Sequence, residues 1–160
     1  MQLYVIRHAI AEDHAEGQSD SERRLTRDGL KRLKRVVKGL RALDFSFDRI
    51  LSSPWARALE TAEALESLCD EAPLVTDLLC QSPRAELLSM IAETGTDAAV
   101  VGHEPWLSEL VAWLAFGDTR HGDALVLKKS GLVCLEGTAV PGGMEITAIV
   151  PPKILSAAHG

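Results

Sequence analysis

Apolar runs of strand length alternate with segments of helical period along most of this chain, and that alternation leaves few folds open. Leu3-Tyr4-Val5-Ile6 is the first apolar run, and residues 2–6 read as a strand. Thr26 then suits a helix N-cap, with Leu30, Leu33, Val36, Val37, Leu40 and Leu43 following at helical offsets. Residues 48–52 read as a second strand, and Leu59, Ala62, Leu65 and Leu68 mark a helix over 55–69. Pro73 breaks the chain, and Leu74-Val75 is expected as a third short strand. Ser82 can cap a helix that begins at Pro83, buries Leu87, Leu88 and Ile91, and ends at Gly95. Residues 98–101 read as a buried strand. Pro105 suits the first turn of a helix carrying Leu107, Leu110, Val111 and Leu114. Strands are expected at 124–127, 131–136 and 144–150, the last two joined by a turn at Pro141-Gly142-Gly143. The tail from Pro151 reads as coil or a short helix. Alternation up to Phe116 implies an α/β fold with a largely parallel sheet, and the closing hairpin adds an antiparallel edge. The expectation is a mixed sheet with helices on both faces, built as one domain over residues 1–160.

Composition narrows the class. A chain that is 46% hydrophobic and 25% charged is ordinary for a soluble protein, and no apolar stretch approaches membrane-spanning length. Arg7 and His8 interrupt the first apolar run, so no secretory signal is read and a cytoplasmic protein is expected. Cys69, Cys80 and Cys134 are odd in number and widely spaced, which fits buried thiols better than a zinc site or a disulfide framework. The net charge of −6 hides an asymmetry. Nine of the seventeen basic residues fall between Arg23 and Arg41, where Asp28 alone opposes them. Three readings apply to this segment: the solvated face of one amphipathic helix, a nucleic-acid contact, or a docking face for an acidic protein. The acidic remainder argues against general nucleic-acid binding.

Three strand-to-helix junctions carry the residues with chemistry. They are Arg7-His8, the segment Ser52-Ser53-Pro54-Trp55-Ala56-Arg57-Ala58, and Gly102-His103-Glu104-Pro105. Parallel strands would deliver all three to one edge of the sheet, where ligands bind in open α/β folds. Two guanidiniums, two imidazoles and two helix N-termini would then converge, a setting that favours an anion and above all a phosphoryl group. No Walker loop and no evident carboxylate cluster for magnesium occurs, so neither a metal nor another cofactor is expected. The nucleophile must come from protein or water. An imidazole, with a reference pKa of about 6.5, offers a neutral ring nitrogen at pH 7, and neighbouring guanidiniums should keep it neutral. The residues thus point to attack by His8 on phosphorus, a covalent phosphohistidine, and its hydrolysis by water. Arg7 and Arg57 would hold the phosphoryl oxygens, and His103 would donate to the same group.

These segments, Arg7-His8-Ala9, Ser52-Ser53-Pro54-x-x-Arg57-Ala58-x-x-Thr61-Ala62 and Gly102-His103-Glu104, resemble the motifs of the histidine phosphatase superfamily. Within it the chain is similar to the small SixA-type phosphohistidine phosphatases, over residues 1 to about 150. The resemblance implies the phosphoglycerate mutase-like fold, a three-layer α/β/α sandwich. It implies His8 as the nucleophile, with Arg7, Arg57 and His103 as the other catalytic and phosphate-binding residues. It also implies a phosphorelay or phosphotransfer protein as partner.

The sequence departs from the family pattern in two ways. Ala9 stands where glycine is usual, and alanine suits an ordinary φ there. No acid for the leaving group is obvious; Glu104, Asp77, Glu12 and Asp13 are the candidates, with Glu104 equally readable as a helix-start residue that complements the dipole. A missing acid favours an imidazole leaving group over a strongly basic alkoxide. The expected activity is dephosphorylation of protein phosphohistidine, without membrane or nucleic-acid partners and as a monomer. The alternatives are a small-molecule phosphomonoesterase of the same superfamily and a catalytically silent phosphoprotein-binding module. A mutase is disfavoured, because so short a chain spares little sequence for a lid over its phosphoenzyme. His14, His121 and His159 read as exposed, and Trp106 and Trp113, seven apart on one helix, as packing residues.

Overall fold

The structure is a computed structural model that describes residues 1–159. Six strands form one mixed sheet in the order β3-β2-β4-β1-β5-β6. Strand β1 (Gln2–Arg7) lies near the centre, between β4 (Ala98–Gly102), which runs parallel to it, and β5 (Leu132–Gly137), which runs antiparallel. Strand β2 (Arg49–Ser52) pairs in parallel with both β4 and the two-residue β3 (Leu74–Val75). Strand β6 (Met144–Val150) closes the other edge antiparallel to β5, with a register shift between Cys134 and Leu135.

Side-chain alternation along the strands divides the core into two layers. On one face Leu3, Val5, Leu51 and Val100 meet helices α3 (Ala85–Glu93) and α4 (Trp106–Phe116) through Leu87, Leu88, Ile91, Leu107 and Leu110. On the other face Ile6, Ile50, Ala99 and Val101 meet α1 (Arg27–Ala42), α2 (Ala56–Leu65) and α5 (Pro152–Ala157) through Leu33, Leu40, Ala62, Leu65 and Leu155. The result is the expected three-layer α/β/α sandwich. Helix α1 is capped as expected, with the Thr26 hydroxyl accepting the Gly29 N–H at 2.8 Å. Its apolar stripe is narrower than the spacing suggests, because Leu30 and Leu43 stay exposed while Leu33, Val36, Val37 and Leu40 are buried.

Three local expectations need correction. Residues 124–127 form no strand: a 3-10 segment, Thr119–Ala124, packs on α4, and the chain beyond it turns so that the buried Leu127 offers its carbonyl to Arg7. Helix α3 starts at Ala85 with Arg84 at its N-cap, two residues later than Ser82-Pro83 implied. Helix α2 ends at Leu65, and its last turn tightens into a 3-10 turn at Glu66–Leu68.

Helix α1 approaches α5 so closely at Gly39 that a Cβ there would stand 1.7 Å from the Leu155 carbonyl oxygen. Alanine is favoured over glycine in a helix by about 1 kcal/mol. Gly39→Ala should nevertheless lower the unfolding free energy by ~1–3 kcal/mol, because the backbone of α5 has to move. A urea midpoint equal to or above that of the parent chain would contradict this close approach.

Candidate active site

The parallel register sets the site. Arg7 of β1 lies opposite Gly102 of β4, and Ser52 of β2 opposite Val101 of β4, so three strand ends stop level with one another. His8, Ser53 and His103 are the residues immediately beyond those ends. Further bonds fix them: the His8 N–H donates to the Gly102 carbonyl at 3.1 Å, and the Ser53 N–H to that of Val101 at 3.0 Å.

His8 is buried, and its Nδ1 lies 2.7 Å from the Ala9 carbonyl oxygen. A carbonyl can only accept, so Nδ1 carries the proton and Nε2 keeps its lone pair. Arg57, from the first turn of α2, points its Nε at that atom from 3.3 Å. Thr61, one helical turn on, joins the two residues. Its hydroxyl donates to the Arg57 carbonyl at 2.7 Å and accepts the Ala9 N–H at 3.0 Å. Ala9 is fully buried, and the non-glycine residues with positive φ are Asp44 and Ser130, so alanine takes the usual glycine's place without left-handed backbone.

The His103 ring centroid lies 5.2 Å from that of His8. Its Nε2 is 2.7 Å from the Ser53 hydroxyl, which also accepts the Trp55 N–H and lies 3.1 Å from the Cys80 thiol. Among the described residues, two buried side-chain nitrogens lack a protein partner: His103 Nδ1 and Arg7 Nε. Arg7 is otherwise anchored through Nη1 to the Leu127 carbonyl at 3.0 Å. An unpartnered buried Arg7 Nε–H is costly, and an oxyanion would supply its acceptor; His103 Nδ1 would join it in the tautomer in which the Ser53 hydroxyl donates to Nε2.

Electrostatics keep both rings neutral. Burial pushes the His8 pKa down to about 4; the charges of Arg57, Arg7 and Lys129 add to this, against the opposing Ala9 carbonyl. Burial, then Arg57 and His8, push His103 down to about 3. Among the described residues no group of three or more histidine, cysteine or acidic side chains is placed to hold a metal ion.

The candidate acids are dispersed. Glu104 turns back onto α4, where its carboxylate accepts the Ser108 N–H at 2.9 Å and also the Ser108 hydroxyl, so both its oxygens are engaged at the start of the helix. Asp77, Glu12 and Asp13 are exposed. The carboxylate that does reach the site is Asp20, from a 3-10 turn at Asp20–Glu22 in the loop after β1. Arg57 donates Nη1 to its carbonyl at 2.7 Å and Nη2 to Oδ2 at 3.0 Å, while Arg23 donates to Oδ1 at 2.8 Å. Burial resists the ionisation of Asp20, but hydrogen bonds from Arg23 and Arg57 outweigh it and hold the carboxyl below its usual range. The sequence does not single out Asp20, because Ser19-Asp20-Ser21 has the look of a solvated loop. The available signal was a single acid beside Arg23 and Arg24 in a loop that must return to the sheet edge. Trp106 also departs from expectation. It faces Trp55 at 5.7 Å and His103 at 6.1 Å between centroids, while Trp113 packs on the core beside α3. Trp55 in turn lies 4.6 Å from His103 and carries the Arg57 guanidinium 4.9 Å above its ring. His14, His121 and His159 are exposed, as expected.

Fold and site together place two neutral imidazoles between guanidiniums at the strand ends of an α/β sheet, an arrangement suited to an oxyanion. Comparison with known proteins agrees. The family model for the histidine phosphatase superfamily (branch 1) matches residues 3–79. An uncharacterized protein of Picosynechococcus sp. is 38% identical over 146 residues, 87% of each chain. The solved structure of the protein histidine phosphatase SixA complexed with tungstate superposes with a TM-score of 0.79 at 25% identity, over 97% of this chain and 99% of that one. A phosphoserine phosphatase of Entamoeba histolytica shares the fold, with a TM-score of 0.73 at 16% identity over 96% and 98% of the two chains. The chain belongs to the histidine phosphatase superfamily, and its activity class is that of a phosphatase.

Neutral burial of the two rings makes folding pH-dependent. The unfolded imidazoles bind protons near pH 6.5, whereas the folded ones bind them only near pH 4 and 3. The unfolded state therefore takes up more protons as pH falls below about 6.5, and stability is lost at up to ~1.4 kcal/mol per pH unit for each ring. Urea unfolding between pH 7 and pH 5 should show this loss, and His8→Asn should show a shallower slope. Equal slopes for the two proteins would contradict the depressed His8 pKa.

Proposed function

We propose that the protein is a metal-independent phosphohistidine phosphatase that works through a phosphohistidine on His8. The observation that carries the reading is the commitment of two carboxylates beside the site. Asp20 is held ionised between two arginines and Glu104 caps its own helix, so a leaving group that needs no protein acid suits this site. A phosphorylated imidazole meets that need. With its second ring nitrogen protonated it departs as neutral imidazole, whereas an alkoxide must be protonated as it leaves.

The geometry supports the following steps. The His8 Nε2 lone pair attacks phosphorus, and the P–N bond to the substrate ring breaks with its electron pair going to that ring. His8 keeps its Nδ1 proton on the Ala9 carbonyl, which orients the ring and steadies the positive charge it acquires. Arg57 Nε, which donates to His8 Nε2 at 3.3 Å, shifts to a non-bridging oxygen as His8 attacks, and Arg7 Nε and the Nδ1–H of His103 donate to the others, so that the three stabilise the charge of the transition state. Water then attacks phosphorus and the P–N bond to His8 breaks, with its electrons returning to Nε2. The water proton departs with the phosphate. Asp20 grips Arg57 through the Nη1 and Nη2 end of its fork and leaves the Nε side toward His8, which makes it a positioning residue. The tungstate held by the structurally similar SixA is a tetrahedral oxyanion of the kind this clamp suits. Trp55 and Trp106 beside His103 add aromatic surface against which a flat imidazole can lie. The partner is then a histidine-phosphorylated protein of a relay or phosphotransfer system, in the cytoplasm.

The test offers the purified protein histidine-phosphorylated proteins, phosphoserine peptides and sugar phosphates without added metal. Phosphohistidine should be turned over fastest, with acid-labile phosphate trapped on His8 and none on His8→Ala. Undiminished turnover by His8→Ala would sink the mechanism, and a preference for sugar phosphates would point to a small-molecule phosphomonoesterase. Asp20→Asn keeps one hydrogen-bonding oxygen but loses the ion pair, and should cost roughly tenfold in kcat with little change in KM. An unchanged kcat would remove Asp20 from the clamp.

A further inference from the structure

Helix α1 carries two basic stripes that the chemistry above does not use. Arg27, Lys31, Lys34 and Lys38 recur at intervals of four, three and four residues, which places them along one line of the helix surface. The line is roughly 16 Å long at the α-helical rise. Asp28, Arg32 and Arg35 form the next row. That row faces a cleft of about 470 Å³ between α1, the start of α5 and the turn before β5. Lys31, Arg32, Arg35, Lys129 and Lys153 line the cleft, and Asp28, paired with Arg32 at 2.7 Å, is the one carboxylate in its wall. All five cations are exposed, and among the described residues Arg32 is the only one of them in an ion pair. Gathering like charges into a concave wall is unfavourable in the free protein, in a chain of net charge −6, and it focuses a positive field outward.

The cleft adjoins the reaction centre. Ile10, two residues past His8, lines it, and the Ile10 carbonyl accepts the Thr26 N–H at the start of α1. On its other side Ser130 donates its N–H to the carbonyls of Arg7 and His8 at 3.0 and 3.2 Å. The two segments that flank the nucleophile's own backbone are therefore the inner end of the basic wall. Resting on the phosphohistidine reading above, we propose that the cleft and the outer stripe of α1 form the docking surface for an acidic patch on the phosphorylated protein, next to its phosphohistidine. The length of the stripe favours a protein over a small anion, and its continuity with the strand ends favours the substrate over an unrelated partner. Complementary charge of this kind acts mainly on encounter, raising association rates tenfold or more at low salt.

The test compares two substrates on one enzyme: histidine-phosphorylated proteins graded from acidic to basic surface, and phosphoimidazole, which carries the reacting group and nothing else. In Lys31→Glu/Arg35→Glu, kcat/KM for acidic phosphoproteins should fall about tenfold or more, and that for phosphoimidazole should stay within twofold. The neutral pair Lys31→Gln/Arg35→Gln should fall between parent and charge-reversed protein. Arg49→Gln, at the opposite end of the sheet, should match the parent for both substrates. Rising salt should erase the advantage of acidic over basic phosphoproteins. Equal kcat/KM for parent and charge-reversed enzyme on acidic phosphoproteins, with turnover intact, would overturn the docking surface and leave the phosphohistidine reading standing. Loss on phosphoimidazole as well would overturn it too, because the cleft would then act on the reaction centre. Parent enzyme that hydrolyses neither phosphohistidine protein nor phosphoimidazole, but does hydrolyse sugar phosphates, would overturn the substrate reading and this surface with it. Short-chain polyphosphate that inhibits turnover of both substrates equally would make the cleft a small-anion site instead.

Discussion

The parallel register of β1, β4 and β2 is the constraint on which everything else at the site depends. Because Arg7 stands opposite Gly102 and Ser52 opposite Val101, the three strands stop at one level and hand their next residues to one place. A slip of one residue along β4 would send Val100 and Val101 to the opposite core layers and withdraw His103 from His8. The same hydrophobic alternation that divides the core into two layers therefore also fixes the spacing of the two imidazole rings. Core packing and site geometry share a single register.

Charge at the site is organised by burial more than by pairing. Both imidazoles sit where water is scarce, and that alone favours their neutral forms; the arginines reinforce a state already set. Arg57 is the exception, since a buried guanidinium needs compensation. Asp20 provides it from a loop closed at its base by the bridge between Ala11 and Leu25, with the Glu12 N–H bonded to the Arg24 carbonyl at 2.8 Å. Loop and clamp thus stabilise one another, and the loop is a structural member of the site.

Where the sequence could be read and where it could not follows the range of the interactions involved. The strand ends and α1 were legible because apolar periodicity and a Thr26 cap are local signals. The convergence of Arg7, His8, Arg57 and His103 was legible because each stands at a strand end or in the helix turn that follows one. Asp20 was not, since its partner lies thirty-seven residues away and nothing local distinguishes it from a solvated acid. The strand expected at 124–127 failed for a related reason. Its apolar residues look extended in isolation, but Leu127 is buried singly, and the segment's role is to present one carbonyl to Arg7. Trp106 was read by its spacing from Trp113, whereas its neighbours Trp55 and His103 come from other elements.

Thr61 gives the site a fixed measure. One hydroxyl reaches back a single turn to the Arg57 carbonyl and forward to the Ala9 N–H, so the span between ring and guanidinium is inherited from helix pitch and peptide geometry. Such a span behaves like a machinist's gauge block, indifferent to what surrounds it. Loops at the rim can lengthen, shorten or change charge to suit a different visitor while ring and guanidinium keep their calibration.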